Sequence, residues 1–178
     1  MPVWMNFVGY QTAWLIAVAA AGHGLWWPGL LACAAFVLLV ALRSSERRAD
    51  LQLLLVAIAC GVVLDGALAT SGALHYAAAD PGWPAPLWIL GLWAAFAMTL
   101  RHSLRWLLPH AWLAALFGAV GGPLAYLGAA RAFSAVAFAM PQVAVALLAV
   151  GWAIALLVLV HFVRRSATQP LPHREASI

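Results

Sequence analysis

The stretch GVVLDGALATSGA, residues 61–73, decides the fold class of this chain. It places one ionisable side chain, Asp65, in a segment that is otherwise apolar enough to cross a lipid bilayer. Because a charged group is costly inside a bilayer, we expect Asp65 to face protein or trapped water. The stretch therefore predicts a membrane helix with one buried polar position.

The composition of the whole chain indicates an integral membrane protein. Hydrophobic residues make up 66% of 178 residues, charged residues make up 8%, and the mean hydropathy is +0.98. Soluble domains are only about half apolar and about a quarter charged. The net charge of +4 comes from arginines scattered between hydrophobic stretches, so it reports membrane topology and predicts no nucleic-acid partner.

Six hydrophobic segments approach the length that a bilayer-spanning helix requires, about 20 residues. They cover residues 3–22, 25–42, 51–74, 87–107, 110–130 and 141–162. We therefore predict an all-α fold, a bundle of six transmembrane helices in one domain over residues 1–165, with the first helix retained. A disordered cytoplasmic tail is predicted over residues 166–178. Five helices are the alternative, if the fourth or the sixth stops short.

The arginines predict that both chain ends face the cytoplasm, because positively charged short loops resist translocation across the membrane. With the amino terminus inside, a single arginine, Arg131, falls on the outer side. The other eight then face the cytoplasm: Arg43, Arg47, Arg48, Arg101, Arg105, Arg164, Arg165 and Arg174. This asymmetry favours an N-in, C-in arrangement.

Asp65 admits two interpretations. Tyr126 lies at a comparable depth on helix five and no basic residue is predicted there, so the acid is either protonated or hydrated. It either fixes helix packing through a bond to Tyr126 or a carbonyl, or it carries protons or binds a ligand. The small residues Gly118 and Gly122 predict close packing of helices three and five, and Gly121 to Pro123 predict a kink or an unwound turn.

A second polar group lies nearer the predicted cytoplasmic side and is expected to line an inward-facing pocket. Each member also has a simpler explanation, such as snorkelling of Arg101 to the headgroups. The histidines lack metal-ligand spacing and no phosphate or dinucleotide motif is present, so we predict no metal and no cofactor. The residues of this group are Asn6, Tyr10, Gln11, Thr99, Arg101, His102, Ser103, His110 and His161.

Five segments together resemble the DUF2878 family of bacterial membrane proteins. They are residues 6–11, the Trp27-Pro28-Gly29 entry, Asp65-Gly66, the block PLWILGLWAAFAMTLRHSLRWL over residues 86–107, and GAVGGPLAY over residues 118–126. The resemblance covers residues 6–161 and implies a multi-pass protein of the bacterial inner membrane. Members carry Asn before the His-Ser pair, where this chain has Arg101, which implies that His102 is the better site residue. Their genes lie beside those of lipid-modifying enzymes, which implies a lipid-related task and a possible enzyme partner.

Three hypotheses for function follow, and the sequence leaves open whether the protein is an enzyme. In the first, a membrane-embedded polar pocket binds a membrane lipid or small amphiphile, either to modify it or to present it to a partner enzyme. Asp65 and His102 are then the candidate catalytic residues. The candidate substrate-binding residues are Asn6, Tyr10, Gln11, Thr99, Ser103 and Tyr126.

The other two hypotheses use the same polar residues differently. In the second, the protein is a small proton-coupled transporter with Asp65 as the titrating group and residues 121–123 as a hinge. In the third, it is a non-catalytic assembly subunit whose polar side chains only join helices.

Overall fold

Six α-helices and a two-stranded ribbon form the part of the chain that the computed structural model describes, residues 1–79 and 85–168. The helices are α1 (Val3–Gly22), α2 (Trp27–Arg43), α3 (Arg47–Thr70), α4 (Leu87–Leu100), α5 (Ala111–Phe133) and α6 (Pro141–Thr168). The strands are β1 (Leu74–Tyr76) and β2 (Val136–Phe138). The described part is thus predominantly helical, with the predicted number of helices.

Four helices, α1, α3, α5 and α6, are long and apolar enough to cross a membrane, which indicates a membrane protein. The other two, α2 and α4, are also apolar but have only 17 and 14 residues. The first helix has the predicted bounds, whereas α4 ends seven residues before the predicted position 107.

Helix α4 lies at the centre of the bundle. It packs against α1, α2 and α3, and every one of its residues except Leu87 and Ala94 is buried. A helix that is apolar on all sides requires such an environment. It ends early because the backbone N–H groups of His102 and Leu104 both donate to the Thr99 carbonyl, closing tight turns, and a short 3₁₀ helix follows at Arg105–Leu107.

Helix α3 begins four residues earlier than predicted and also ends four residues earlier. Asp50, predicted to lie in the preceding loop, occupies its first turn, where a carboxylate interacts favourably with the positive end of the helix dipole. The helix ends at Thr70 because Gly72 adopts φ +70°, a left-handed conformation that glycine tolerates. The chain then reverses into β1.

Strands β1 and β2 join the α3–α4 connection to the α5–α6 connection. They pair antiparallel, with Leu74 opposite Phe138 and Tyr76 opposite Val136. Neither strand was predicted, because each is only three residues long and depends on the other for its hydrogen bonds. The ribbon holds Tyr76 over the end of α3.

Helix α6 continues beyond its predicted end at position 162. Residues 166–168, predicted to be disordered, are helical, and the Ser166 hydroxyl donates to the Phe162 carbonyl. Arginines in a last helical turn interact favourably with the helix dipole, which explains the extension through Arg164 and Arg165. The rest of the predicted tail, residues 169–178, lies outside the described residues.

The glycines of α5 pack this helix against α6, and not against α3 as predicted. A Cβ atom on Gly118 would lie 2.4 Å from the Trp152 carbonyl oxygen, so glycine permits the close approach of the two helices. The predicted unwound turn is also absent, because α5 is continuous through Gly121, Gly122 and Pro123.

Candidate functional site

Asp65 lies on the buried stripe of α3 and has no solvent exposure (0%). The other buried residues of this stripe recur at intervals of three or four, the spacing of one helix face. They are Asp50, Leu53, Ala57, Gly61 and Leu68. The helix therefore directs the carboxylate into the bundle, as the sequence predicted.

The Asp65 carboxylate accepts three hydrogen bonds from three different elements. The Tyr76 hydroxyl of β1 donates to Oδ1 over 2.8 Å, and the Trp93 indole of α4 donates to Oδ2 over 2.7 Å. The Tyr126 hydroxyl of α5 also donates to Oδ1. No Lys, Arg or His within the described residues forms an ion pair with this carboxylate. The carboxyl group is thus held by neutral donors alone among the described residues.

Tyr76 is the one donor that lies outside the helices. Burial raises the pKa of its hydroxyl above the ordinary value, and the neighbouring Asp65 carboxylate raises that pKa further. Both effects favour the protonated form. Tyr76 therefore keeps its proton at neutral pH and remains a hydrogen-bond donor to the carboxylate.

A stacked pair of indoles adjoins the aspartate. The rings of Trp93 and Trp152 lie 4.1 Å apart at an angle of 11°. A Cβ atom on Gly61 would approach the Trp93 ring to 2.3 Å, and one on Gly122 would approach the Trp152 ring to 2.4 Å, so both glycines leave room for the pair. The Trp152 Nε1 is buried beside the Tyr126 hydroxyl but completes no hydrogen bond to the described residues.

A cavity of about 380 Å³ lies against this network. Residues of α1, α4, α5 and α6 line it, and Tyr126 and Trp93, which hold Asp65, are part of its wall. Gly118, Gly121 and Gly122 keep the α5 side open. Eight aromatic side chains contribute to the lining: Tyr10, Trp14, Trp88, Trp93, Phe96, Phe117, Tyr126 and Trp152.

The cavity reaches the outer surface of the bundle. Its lining includes Gln11 of α1 and Phe117 and Leu124 of α5, all of which are exposed, together with the buried Tyr126. A path therefore leads from the surface between α1 and α5 to the groups that hold Asp65. The size falls within the range of small-molecule pockets, about 300 to 1,000 Å³.

Asn6 and Ser103 form a separate polar contact at the other end of α4. Asn6 is fully buried (0% exposed), and its Nδ2 donates to the Met98 carbonyl over 3.1 Å. Its Oδ1 accepts from the Ser103 hydroxyl over 2.6 Å and from the Ser103 backbone N–H over 3.3 Å. The Thr99 hydroxyl donates to its own helix, at the Phe96 carbonyl. These polar groups are satisfied internally and tie α1 to α4.

A charged cluster lies beside this contact and centres on the buried Asp50. Its Oδ1 lies 3.1 Å from Arg101 Nε, and its Oδ2 accepts from the Ser44 hydroxyl and lies 3.7 Å from His102 Nε2. Arg101 also pairs with the exposed Glu46. Burial lowers the pKa of the Arg101 guanidinium, yet an arginine remains charged at neutral pH because its ordinary pKa exceeds 12. The cluster anchors the α2–α3 connection to the end of α4.

The family comparison covers nearly the whole of this architecture. The profile of a family described as protein of unknown function, DUF2878, matches residues 3–158. The chain belongs to the DUF2878 family. The match confirms the family resemblance noted in the sequence, and it runs from the start of α1 into α6. No curated protein and no solved structure matches the chain.

The predicted site residues of this DUF2878 protein lie in separate groups in the structure. Asp65 and Tyr126 bond each other, while Tyr10 and Gln11 line the cavity beside them. The remaining predicted site residues, Asn6, Thr99, His102 and Ser103, lie outside the cavity lining and bond elsewhere or contact Asp50. Of these four, His102 and Ser103 follow the end of α4 at Leu100.

Sequence reasoning missed three members of these groups. Trp93 and Tyr76 are not among the predicted site residues, yet both hold Asp65. Asp50 was placed in a loop, although counting back from Asp65 at helical spacing reaches it. No group of three or more His, Cys, Asp or Glu side chains among the described residues is placed to hold a metal ion.

Proposed function

We propose that this DUF2878 protein is a multi-pass protein of the bacterial inner membrane that binds a lipid or small amphiphile in the cavity between α1 and α5. Binding either presents the molecule to a lipid-modifying enzyme or prepares it for modification. The observation that carries this proposal is the aromatic cavity, which is open at the surface and has the Asp65 network at its wall.

The shape of the cavity suits a hydrocarbon chain. Its lining on α5 runs from Phe117 to Ala129, a distance of about 18 Å at 1.5 Å per residue. A single extended chain parallel to the helices fits such a space, and its CH₂ groups would contact aromatic rings on several sides.

The position of the opening suits a ligand that arrives from the bilayer. Gln11, Phe117 and Leu124 border it, and two of the three are apolar side chains exposed on the surface of the bundle. We propose that all six helices cross the membrane, with both chain ends in the cytoplasm. The short α4 is compatible with this arrangement, because its neighbours, and not lipid, cover its surface.

Asp65 has a positioning role in this proposal. It does not line the cavity, but it orients the Tyr126 hydroxyl and the Trp93 indole, which do. His102, a candidate catalytic residue from the sequence, is absent from the lining and contacts Asp50. The proposed contacts to the ligand are therefore Tyr10, Gln11 and Tyr126.

The test is native mass spectrometry of the detergent-purified protein, with a variant that fills the cavity. Gly121→Phe places a ring in the lining, where the nearest atom to a new Cβ is Phe117 Cε1 at 3.9 Å. Val120→Phe is the matched control, since Val120 is 51% exposed and outside the lining. We expect a defined lipid to co-purify with the wild type and Val120→Phe and to be lost from Gly121→Phe. Equal lipid content in all three would overturn the proposal.

A proton-coupled transporter is a second candidate, favoured by the contact of Asp65 with neutral donors alone. It requires that Asp65→Asn protein still folds and loses uptake driven by a pH gradient. Lipid binding, in contrast, requires no pH gradient across the membrane, so vesicles with and without a gradient separate the two candidates.

A further inference from the structure

We infer that the occupant of the cavity is an uncharged lipid whose small polar group, an oxygen that accepts a hydrogen bond, lies against Tyr10 and Gln11 of α1. Long-chain esters, ketones, aldehydes and alcohols share this chemistry. The inference rests on the proposed function and adds the class of the ligand to it.

Tyr10 and Gln11 are polar side chains at the cavity that lack partners among the described residues, as is the indole of Trp152. Within residues 1–79 and 85–168, neither the Tyr10 hydroxyl nor the Gln11 amide makes a hydrogen bond. Both residues line the cavity, Tyr10 half-buried and Gln11 exposed at the opening. A polar group transferred to an apolar environment costs free energy unless it is hydrogen-bonded. A ligand oxygen would satisfy the Tyr10 hydroxyl and the Gln11 Nε2 together.

The depth of these groups argues against a charged headgroup. Tyr10 and Gln11 lie near the middle of the 20-residue helix α1, about 12 Å from its start at Val3. In a membrane-spanning helix that position is deep in the hydrocarbon region, where an ionised group is costly. Esters, ketones and alcohols, which carry no charge, incur a smaller cost there.

The electrostatics of the wall disfavour an anion in particular. None of the described residues that line the cavity is Lys, Arg or His, so no cation is available to pair with a phosphate or carboxylate. The hydroxyl of Tyr126 and the indole N–H of Trp93 donate to Asp65, so neither is free to donate to an anion. Arg101, by contrast, pairs with Asp50 and Glu46 in the charged cluster, away from the lining.

The experiment compares probes that share one chain and differ in the head. Delipidated protein is titrated at pH 8 with methyl palmitate, hexadecanol, palmitate, hexadecyltrimethylammonium and hexadecane, and complexes are counted by native mass spectrometry. We expect the ester and the alcohol to bind most tightly and the two ions about tenfold more weakly. Palmitate or the ammonium probe binding as tightly as the ester would overturn the inference.

Tyr10→Phe isolates the contribution of the hydroxyl, because it removes one oxygen and preserves the ring. We expect the affinity for methyl palmitate and hexadecanol to fall about fivefold, the effect of one neutral hydrogen bond. The affinity for hexadecane should not change. Thr12→Val is the matched control, since it also removes a hydroxyl from α1. The Thr12 hydroxyl lies outside the cavity lining and donates to the Val8 carbonyl. An unchanged affinity in Tyr10→Phe would overturn the inference.

Two results separate this inference from the proposed function. If all probes bind equally and Gly121→Phe abolishes their binding, the cavity takes a chain but does not recognise the head, and only this inference fails. If no probe binds the wild type, the proposed function fails as well. Gln11→Leu completes the set: we expect weaker binding of methyl palmitate and unchanged binding of hexadecane, and unchanged binding of both would overturn the role of Gln11.

Discussion

At the scale of single residues, Asp65 determines how three elements meet. Its carboxylate accepts from Tyr76, Trp93 and Tyr126, which belong to β1, α4 and α5. The sequence predicted that Asp65 is buried, because a charged group is costly in a bilayer. It also placed Tyr126 at the same depth, which follows from helical rise. It did not predict Tyr76 or Trp93 as partners, because one reaches the acid through an unexpected strand and the other resembles an ordinary core aromatic.

The first prediction concerns the removal of this acceptor. Asp65→Ala leaves three donors without an acceptor. Each unsatisfied donor costs about 1 to 3 kcal/mol when no other acceptor replaces the carboxylate. We expect the free energy of unfolding to fall by about 3 kcal/mol or more. Asp65→Asn keeps one oxygen for the tyrosine hydroxyls, so its loss is expected to be smaller, about 1 kcal/mol.

Denaturant or thermal unfolding in detergent measures both variants. The two substitutions differ in whether an acceptor oxygen remains, so the informative result is which variant has the lower free energy of unfolding. Equal stability of Asp65→Ala and the wild type would mean that the three hydrogen bonds add nothing to folding.

At the scale of elements, glycines decide which helices make contact. Gly61 of α3 faces Trp93 of α4, and Gly118 and Gly122 of α5 face Trp152 of α6. The sequence indicated close packing at Gly118 and Gly122 but assigned the wrong partner helix, because a small residue shows where a helix can be approached and not which helix approaches it.

The second prediction tests this packing with single methyl groups. A Cβ on Gly61 would lie 2.3 Å from Trp93 Cδ1, whereas one on Gly128 would lie 3.7 Å from Trp14 Cη2, an ordinary contact. We expect Gly61→Ala to destabilise the protein by about 2 kcal/mol through overpacking. Gly128→Ala should be neutral, or stabilise by up to about 1 kcal/mol through its better helix propensity.

Unfolding midpoints of the two variants provide the measurement. If the two alanine variants have the same stability, the clearance at Gly61 does not determine packing.

The buried stripe of helix α3 follows from helical spacing in the sequence. Its buried stripe runs from Asp50 to Leu68 at intervals of three and four. A helix begun at Arg47 would have placed Asp50 on the same stripe as Asp65. The prediction started the helix at the first apolar residue instead, since hydropathy excludes polar residues from a membrane segment even when they pair inside the protein.

At the scale of the whole molecule, the arrangement of helices accounts for both polar groups. Helix α4 separates the Asp65 network from the charged cluster around Asp50, because its N-terminal half carries Trp93 and its end carries Arg101. One group adjoins the cavity, and the other ties the α2–α3 connection to the bundle. Of the predicted site residues, Tyr10 and Gln11 therefore line the cavity, whereas His102 contacts Asp50.

The third prediction concerns topology. With six crossings, both chain ends lie on one side of the membrane, and the β1–β2 ribbon lies on the other. Single cysteines on a background without Cys33 and Cys60, placed at Ser45 or at Ser134, should react with a membrane-impermeant maleimide from opposite sides. Reporter fusions to the two chain ends should both be active in the cytoplasm; activity of one end outside would contradict the even number of crossings.

The sequence by itself determined the fold class, the number of helices, the burial of Asp65 and the family. Each depends on local composition, on helical rise, or on motifs read in order, so no distant contact is needed to infer it. Tertiary structure alone decided the remaining features: the central place of α4, the ribbon that carries Tyr76, the stacked Trp93 and Trp152, and the cavity. The physical reason is that these features arise where helices distant in sequence meet, and which helices meet depends on the clearances between their side chains.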